Sequence, residues 1–450
     1  MILYLLGVLV VVVGVGASIA LHEVGHLLPA KRFGVKVTQY MVGFGPTLWS
    51  MRRGETEYGL KAIPLGGYVR MIGMFPPKQG ADATRVRASS TGRLGQLMDQ
   101  ARQDSLDEVS PGDEQRVFYR LSVPRKIVVM LGGPVVNLLI ATVLLTGIIT
   151  LYGLPVAQDG AVIASVSECV VKAEDAAKST TCAPTDPKTP AYLAGLLPRD
   201  RLISVAGVPV TSSATVGDLI RPRVGQPTAI VIERDGQRRT VQVTPIRNTL
   251  QKLDGKGQPV LDESGRPVLV EAGFLGIRSA TPTVLERQPV TAAPGFVAGA
   301  VGQTAAVVLK VPEKMVGIFQ AAFGPGERDP NGPISVVGVG RVGGEIASAD
   351  IGEGGPLAKL VTLLSLIASL NLALFVFNLI PLLPLDGGHV AGALWEGLKR
   401  RGARMLGRAD PGHVDVAKAL PVAYAMSMVL IVMSALLIYA DIVKPVKLFG

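Results

Sequence analysis

Apolar residues in this chain are gathered into long runs that contain no Asp, Glu, Lys or Arg. Four such runs stand out, at 1–21, 127–158, 360–385 and 419–440. Each reaches the roughly 20 residues that a helix needs to cross a bilayer, so they predict four transmembrane helices. The first run could be a cleaved leader. No Lys or Arg precedes it and no small-residue cleavage site follows, so it is expected to stay. From 35 to 74, β-formers alternate with Gly and Pro, which predicts short strands and hairpins. The polar stretch 78–114 predicts a loop with one short helix at 94–102. Further on, 161–166, 202–205, 228–233 and 240–244 read as strands, with Asp235-Gly236 at a hairpin turn. The stretch 249–270 reads as an exposed loop, and 312–323 and 336–351 as helices lying against a membrane surface.

Composition agrees with a membrane protein. The 450 residues are 48% hydrophobic and only 18% charged, with a mean hydropathy of +0.40. The net charge of +10 does not point to nucleic acid, because no aromatic and basic interleaving or known nucleic-acid module accompanies it. The basic residues instead cluster beside the runs. Lys31, Arg32 and Lys36 follow the first, Arg120, Arg125 and Lys126 precede the second, and Lys399, Arg400, Arg401, Arg404 and Arg408 lie between the third and fourth. By the positive-inside rule this side is cytoplasmic, and Asp159, Asp350 and Glu353 mark the other. Cys169 and Cys182 then fall outside, where a disulfide can persist; a bridge between them is expected, with two free thiols as the alternative.

The first run leads into His22-Glu23-Val24-Gly25-His26. Residues four apart share a helix face, so both imidazoles can hold one metal ion while Glu23 reaches a water on it as general base. Zinc suits this donor set, since it lowers the pKa of its bound water to about 7 and polarises a carbonyl. Ionisable groups at membrane depth favour a functional reading over chance, and two of the chain's 4 histidines stand in this motif. A catalytic zinc needs a third protein ligand. The third run ends in Asn378-Leu379-Ile380-Pro381-Leu382-Leu383-Pro384-Leu385-Asp386-Gly387-Gly388-His389, and with four crossings its end reaches the same face as the motif. Asp386 is the expected ligand and His389 its rival, while the plain alternative is a turn residue beside two glycines. Pro381 and Pro384 would free carbonyls that must line a cavity or be buried.

Taken together, the motif at 22–26 and the Asn-x-x-Pro-x-x-x-x-Asp-Gly pattern at 378–387 resemble the site-2 proteases, bacterial zinc enzymes of regulated intramembrane proteolysis. The resemblance implies zinc ligands His22, His26 and Asp386, Glu23 as catalytic base, and Asn378 near substrate or the transition state. Gly132-Gly133-Pro134-Val135-Val136-Asn137 is similar to a family stretch packed close to the site, which implies that Asn137 too stands near substrate or the transition state. Gly43-Phe44-Gly45-Pro46 and 63–69 resemble a membrane-reentrant β-hairpin that presents substrate by strand addition. Asp159-Gly160 and 190–210 are similar to bacterial PDZ domains, with Arg199-Asp200 where those carry Gly-Asp.

The fold expected is a polytopic α-helical membrane protein of four transmembrane helices with a reentrant β-hairpin and an inserted extracytoplasmic PDZ domain, β-rich α+β. Its segments are transmembrane helix 1 with HExxH (1–34), the hairpin region (35–77), a cytoplasmic polar loop (78–123), transmembrane helix 2 (124–156), the PDZ domain (157–246), a linker with membrane-surface helices (247–355), transmembrane helix 3 (356–388), a cytoplasmic loop (389–418) and transmembrane helix 4 (419–443). The resemblance implies a multi-pass protein of the inner (plasma) membrane with its active site toward the cytoplasm. Implied partners are membrane lipid, a peptide ligand for the PDZ domain, an upstream site-1-type protease, and single-span substrates such as anti-sigma factors or remnant signal peptides. A zinc transporter or a catalytically inactive membrane PDZ scaffold are the competing readings.

Overall fold

The computed structural model describes residues 1–77, 100, 103, 105, 107–170, 182, 186–252, 260–262, 267–324, 328–329, 332–349 and 355–446. The helix expected at 94–102 lies almost wholly outside these residues, as do Asp350 and Glu353. The chain divides into two compact units, one of Met1–Tyr152 with Gln288–Gly450 and one of Gly153–Arg287.

With no water to bond its backbone, a charge-free run must satisfy its N–H and C=O groups internally. The first run does so as helix α1, Ile2–Arg32. Strands β1, Val37–Arg53, and β2, Thr56–Met71, follow as an antiparallel pair. The pair doubles over: 37–42 of β1 lies between 67–71 and 57–60 of β2, and 57–60 pairs again with 49–52. Segment 67–71 is therefore an edge. Helix α2, Val123–Gly147, runs antiparallel to α1, since His26 meets Val129 and His22 meets Asn137. Gly25 and Gly132 let the two backbones touch, because a Cβ on Gly132 would stand 1.9 Å from the Gly25 carbonyl oxygen. Pro29 has no N–H to bond that same carbonyl.

The second unit is built on a sheet of order β11-β4-β5-β7-β8, all antiparallel, with β6 (Val208–Pro209) on β5. Its strands are β4 (Ala161–Val166), β5 (Arg201–Val205), β7 (Thr228–Arg234), β8 (Gln237–Val243) and β11 (Ile277–Ala280). Ile163, Leu202, Val205, Ile230 and Ile232 form its core with Val216 and Ile220 of a helix at Ser213–Ile220. The unit reaches past the expected limit of 246. The ends of the loop expected across 249–270 are strand, since β9 (Ile246–Gln251) and β10 (Leu269–Phe274) pair antiparallel, while 253–259 and 263–266 lie outside the described residues; β12 (Thr283–Glu286) pairs with β3 (Leu154–Ala157). Arg199 adopts φ 75°, the left-handed region that glycine enters freely, and Asp200 accepts from Arg234 and the Leu197 amide. Cys169 and Cys182 are disulfide-bonded.

Back in the first unit come helices α5 (Ala293–Leu309), α6 (Val311–Phe323), α7 (Val336–Ser348), α8 (Gly355–Asn378), α9 (Asp386–Met405) and α10 (Leu420–Val443), the second unit having supplied α3 (Pro190–Leu193) and α4 (Ser213–Ile220). Among the described residues five helices, not four, are long and apolar enough to cross a membrane. The addition, Val290–Leu309, has hydropathy 1.5 against 2.2 to 2.7 for the others, because Ala, Gly and Thr dilute its apolar content. The Gln288 amide bonds the Ile149 carbonyl just beyond α2, and Val297 shares a buried cluster with Leu145 and Ala141, so α5 runs antiparallel to α2. Helix α6 turns back: Ile318 and Ala322 pack on Leu437 and Ala440, parallel to α10. It is followed by Arg328, whose guanidinium pairs with Asp441 near the end of α10. Helix α7 packs on α1, where a Cβ on Gly7 would meet the Gly343 carbonyl oxygen at 2.2 Å.

Helix α8 runs parallel to α1. Gly14 faces Ile367, and buried Ser18 accepts from the Asn371 amide at 2.9 Å. Beyond α8, what was expected as a loop at 389–418 begins as α9, tied to the start of α2 through buried Glu396. Its carboxylate accepts from Lys126 at 2.8 Å, from Arg400 at 3.1 Å and from the Val414 amide at 3.1 Å, with His413 Nδ1 at 3.2 Å. Burial favours the neutral acid, but the bonds from His413 and Lys126 outweigh it and hold the carboxyl down to about 2. A lowered folded value means that the cluster contributes fully above the ordinary carboxylate value of 4.5 and is lost as pH falls toward about 2. Glu396→Ala leaves Lys126 buried and unpaired, which costs about 3–5 kcal/mol. Thermal unfolding in detergent at pH 7 checks this, and an unchanged Tm would refute the assignment.

Candidate metal centre

Three elements converge on one point. Helical spacing puts His22 and His26 on one face of α1, and their Nε2 atoms lie 3.2 Å apart. Asp386 is the first residue of α9, immediately after the break at 379–385, and its Oδ2 lies 3.4 Å from each Nε2. That oxygen is buried and has no hydrogen-bond partner, an expensive arrangement unless something positive joins it. Among the described residues, His22, His26 and Asp386 form a group whose ligand atoms all lie within 4.8 Å of one another. Two imidazole nitrogens and a carboxylate oxygen converging on one point form a donor set that suits zinc with an open fourth position.

Glycines make this convergence possible. A Cβ on Gly133 of α2 would stand 2.3 Å from His26 Nε2 and 2.7 Å from His22 Nε2, so any side chain there would fill the space between the ligands. Gly387 and Gly388 press on the backbone of 379–383, with added Cβ atoms at 2.4 and 2.5 Å. Close approach, rather than flexibility, is what these two supply to Asp386.

The outer face of each imidazole is held as well. His26 Nδ1 lies 2.8 Å from the Val129 carbonyl, and His22 Nδ1 lies 3.0 Å from the Asn137 amide. Both Nε2 atoms therefore point to the shared centre. Glu23 is buried on the same helix without joining the ligand group, and Gly67 of the edge segment approaches it so closely that a Cβ there would stand 2.8 Å from Glu23 Cγ.

The other expected site residues fall differently. His389, the rival ligand, is not in the group; it lines a small cavity of about 20 Å³ with Lys126, Glu396 and Tyr119. Asn378 ends α8 and is half-buried. Asn137 is fully buried, at 0% exposure, on the side of His22 away from Nε2. Sequence reasoning had no means of finding the Val129 carbonyl, since a backbone oxygen leaves no signature in residue type.

A profile described as Peptidase family M50 matches residues 10–407. The chain is 33% identical over 451 residues to a protein named zinc metalloprotease Rip1 from Mycobacterium tuberculosis strain H37Rv, covering 99% of this chain and 100% of that one. A protein of the same name from Mycolicibacterium smegmatis is 33% identical over 459 residues, covering 99% of both. A putative zinc metalloprotease of Mesorhizobium japonicum is 29% identical over 372 residues, covering 82% of this chain and 83% of its own length.

Proposed function

The chain belongs to peptidase family M50, the site-2 protease family of zinc metalloendopeptidases, and from that premise we propose that it cuts single-span membrane proteins within or beside their spanning segments. It is a multi-pass membrane protein. The observation that carries the substrate reading is the place of the ligand group, gathered where α1, α2 and the end of α8 pack together.

His22, His26 and Asp386 would hold the zinc ion. When bound, zinc polarises the scissile carbonyl and brings the pKa of water at the site to about 7. Glu23 carries the proton: a carboxylate oxygen accepts it from the attacking water and delivers it to the leaving amide nitrogen. Asn378 is the polar side chain assigned a place near the substrate or the transition-state oxyanion. A helical substrate hides its amides, so it must be unwound first. Pairing to the 67–71 edge supplies an extended conformation, and the closeness of Gly67 to Glu23 supports that edge as the platform.

Four crossings remain the reading despite five apolar helices. Helices α5 and α6 run in opposite directions, entering near the end of α2 and returning near the end of α10, so the pair adds no net crossing. Helices α1 and α8 then end on one side, which the basic residues assign to the cytoplasm of an inner-membrane protein. The β-rich unit lies outside, reads as a PDZ domain for a peptide ligand, and carries its disulfide where such bonds persist. Substrates of this class are anti-sigma-factor-like proteins or remnant signal peptides already trimmed by a site-1-type protease.

The test uses the purified protein and a model single-span substrate. Zinc is expected at one ion per chain, a chelator stops cleavage, and added zinc restores it. Cleavage persisting in zinc-free protein would sink the reading, and stoichiometric zinc with no cleavage of any single-span substrate would favour a transporter or an inactive scaffold.

A further inference from the structure

Resting on the reading that His22 binds zinc through Nε2, we propose that Asn137 is the positioning residue that fixes the tautomer of His22. The two histidines differ in what stands behind them. His26 Nδ1 faces the Val129 carbonyl at 2.8 Å. A carbonyl can only accept, so Nδ1 carries the proton and the Nε2 lone pair is left for a metal. Among the described residues His22 has no such backbone partner; its Nδ1 faces the Asn137 amide at 3.0 Å.

An amide can present either end. As placed, Nδ2 faces His22 and Oδ1 is buried without a partner. Donation from Nδ2 requires a bare Nδ1, which leaves the proton on Nε2 and blocks a ligand position. A half-turn of the amide reverses this. Oδ1 then accepts from Nδ1–H, the buried oxygen gains a partner, and Nε2 is free to ligate. The side chain of Asn137 is closed to bulk solvent, at 0% exposure. Substrate contact is a poorer account of a group this enclosed. Val129 and Asn137 both lie on α2, so one helix positions both imidazoles of the other.

Partners of this kind typically change metal affinity by about 10–100-fold when removed. The experiment measures the zinc Kd of the full-length protein in detergent by chelator competition, for wild type, Asn137→Leu and Asn137→Asp. Leucine has similar volume and no acceptor, and is expected to weaken zinc by about 10–100-fold. Aspartate can only accept, so it binds at least as tightly as wild type. The same pattern is expected for Co²⁺, read from its absorption spectrum without any cleavage assay. A purely structural role predicts a lowered Tm for Asn137→Leu with Kd within about twofold of wild type, and that overturns the proposal. Should Asn137→Leu fail to fold, Asn137→Asp decides alone, since tenfold weaker zinc in that variant contradicts an acceptor role. Wild-type protein that binds no zinc would instead overturn the zinc reading on which this one stands.

Discussion

Protein carrying Glu23→Gln is expected to keep its zinc and lose its cleavage. The two properties separate because Glu23 shares the face and the burial of the histidines but lies outside the group of converging ligand atoms. Glutamine preserves size and hydrogen bonding to a neighbour, yet its amide cannot take a proton from water. Removing a positioned general base costs about 10²–10⁴-fold in rate. Here both the attack and the departure of the amine pass their proton through the same carboxylate, so the upper end of that range is expected. Zinc content, measured on the same preparation that is assayed on a single-span substrate, distinguishes this from loss of the metal. Activity near wild type in a zinc-loaded Glu23→Gln protein would refute the role. Zinc lost together with activity would place Glu23 among the ligands.

How much of this was legible in the sequence follows from the range over which each signal acts. The spacing of His22 and His26 is local, and α1 realises it directly. Asp386 was found by a topological argument, and the parallel packing of α1 and α8, seen at Gly14 on Ile367 and Ser18 on Asn371, is the physical form of that argument. Gly387 and Gly388 stand beside Asp386 in the sequence, but their close approach to the backbone of 379–383 is a property of the packing. The helix Val290–Leu309 was overlooked because Ala, Gly and Thr thin out a run that is charge-free all the same. The pairing of β11 with β4 and β12 with β3 joins strands far apart in sequence, which no local alternation encodes. Glu396 and Lys126 looked like two charges among many in basic segments, although one ion pair buries both. Sequence patterns thus named the candidate ligands, while the shapes that bring His22, His26 and Asp386 together came from packing between distant segments.

The strongest division between the two candidate third ligands comes from a pair of substitutions. Asp386→Ala is expected to remove zinc and with it all cleavage, whereas His389→Ala leaves zinc bound. Asp386 Oδ2 lies 3.4 Å from Nε2 of both histidines and has no hydrogen bond of its own. Removing it leaves two neutral imidazoles, and an open site with two ligands has neither the charge nor the coordination number that catalytic zinc requires. Because even outer partners change affinity by about 10–100-fold, loss of a direct ligand is expected to exceed about 100-fold. His389 sits three residues along α9 and lines the cavity beside Lys126 and Glu396, which points its influence toward the fold of the α2 and α9 contact. Zinc affinity by chelator competition is the deciding measurement, because activity would fall in either case if the helices shifted. Tight zinc in Asp386→Ala together with weak zinc in His389→Ala would exchange the two assignments. It would also require α9 to turn by most of a helical turn from the arrangement in which Gly387 and Gly388 lock its first residues onto 379–383.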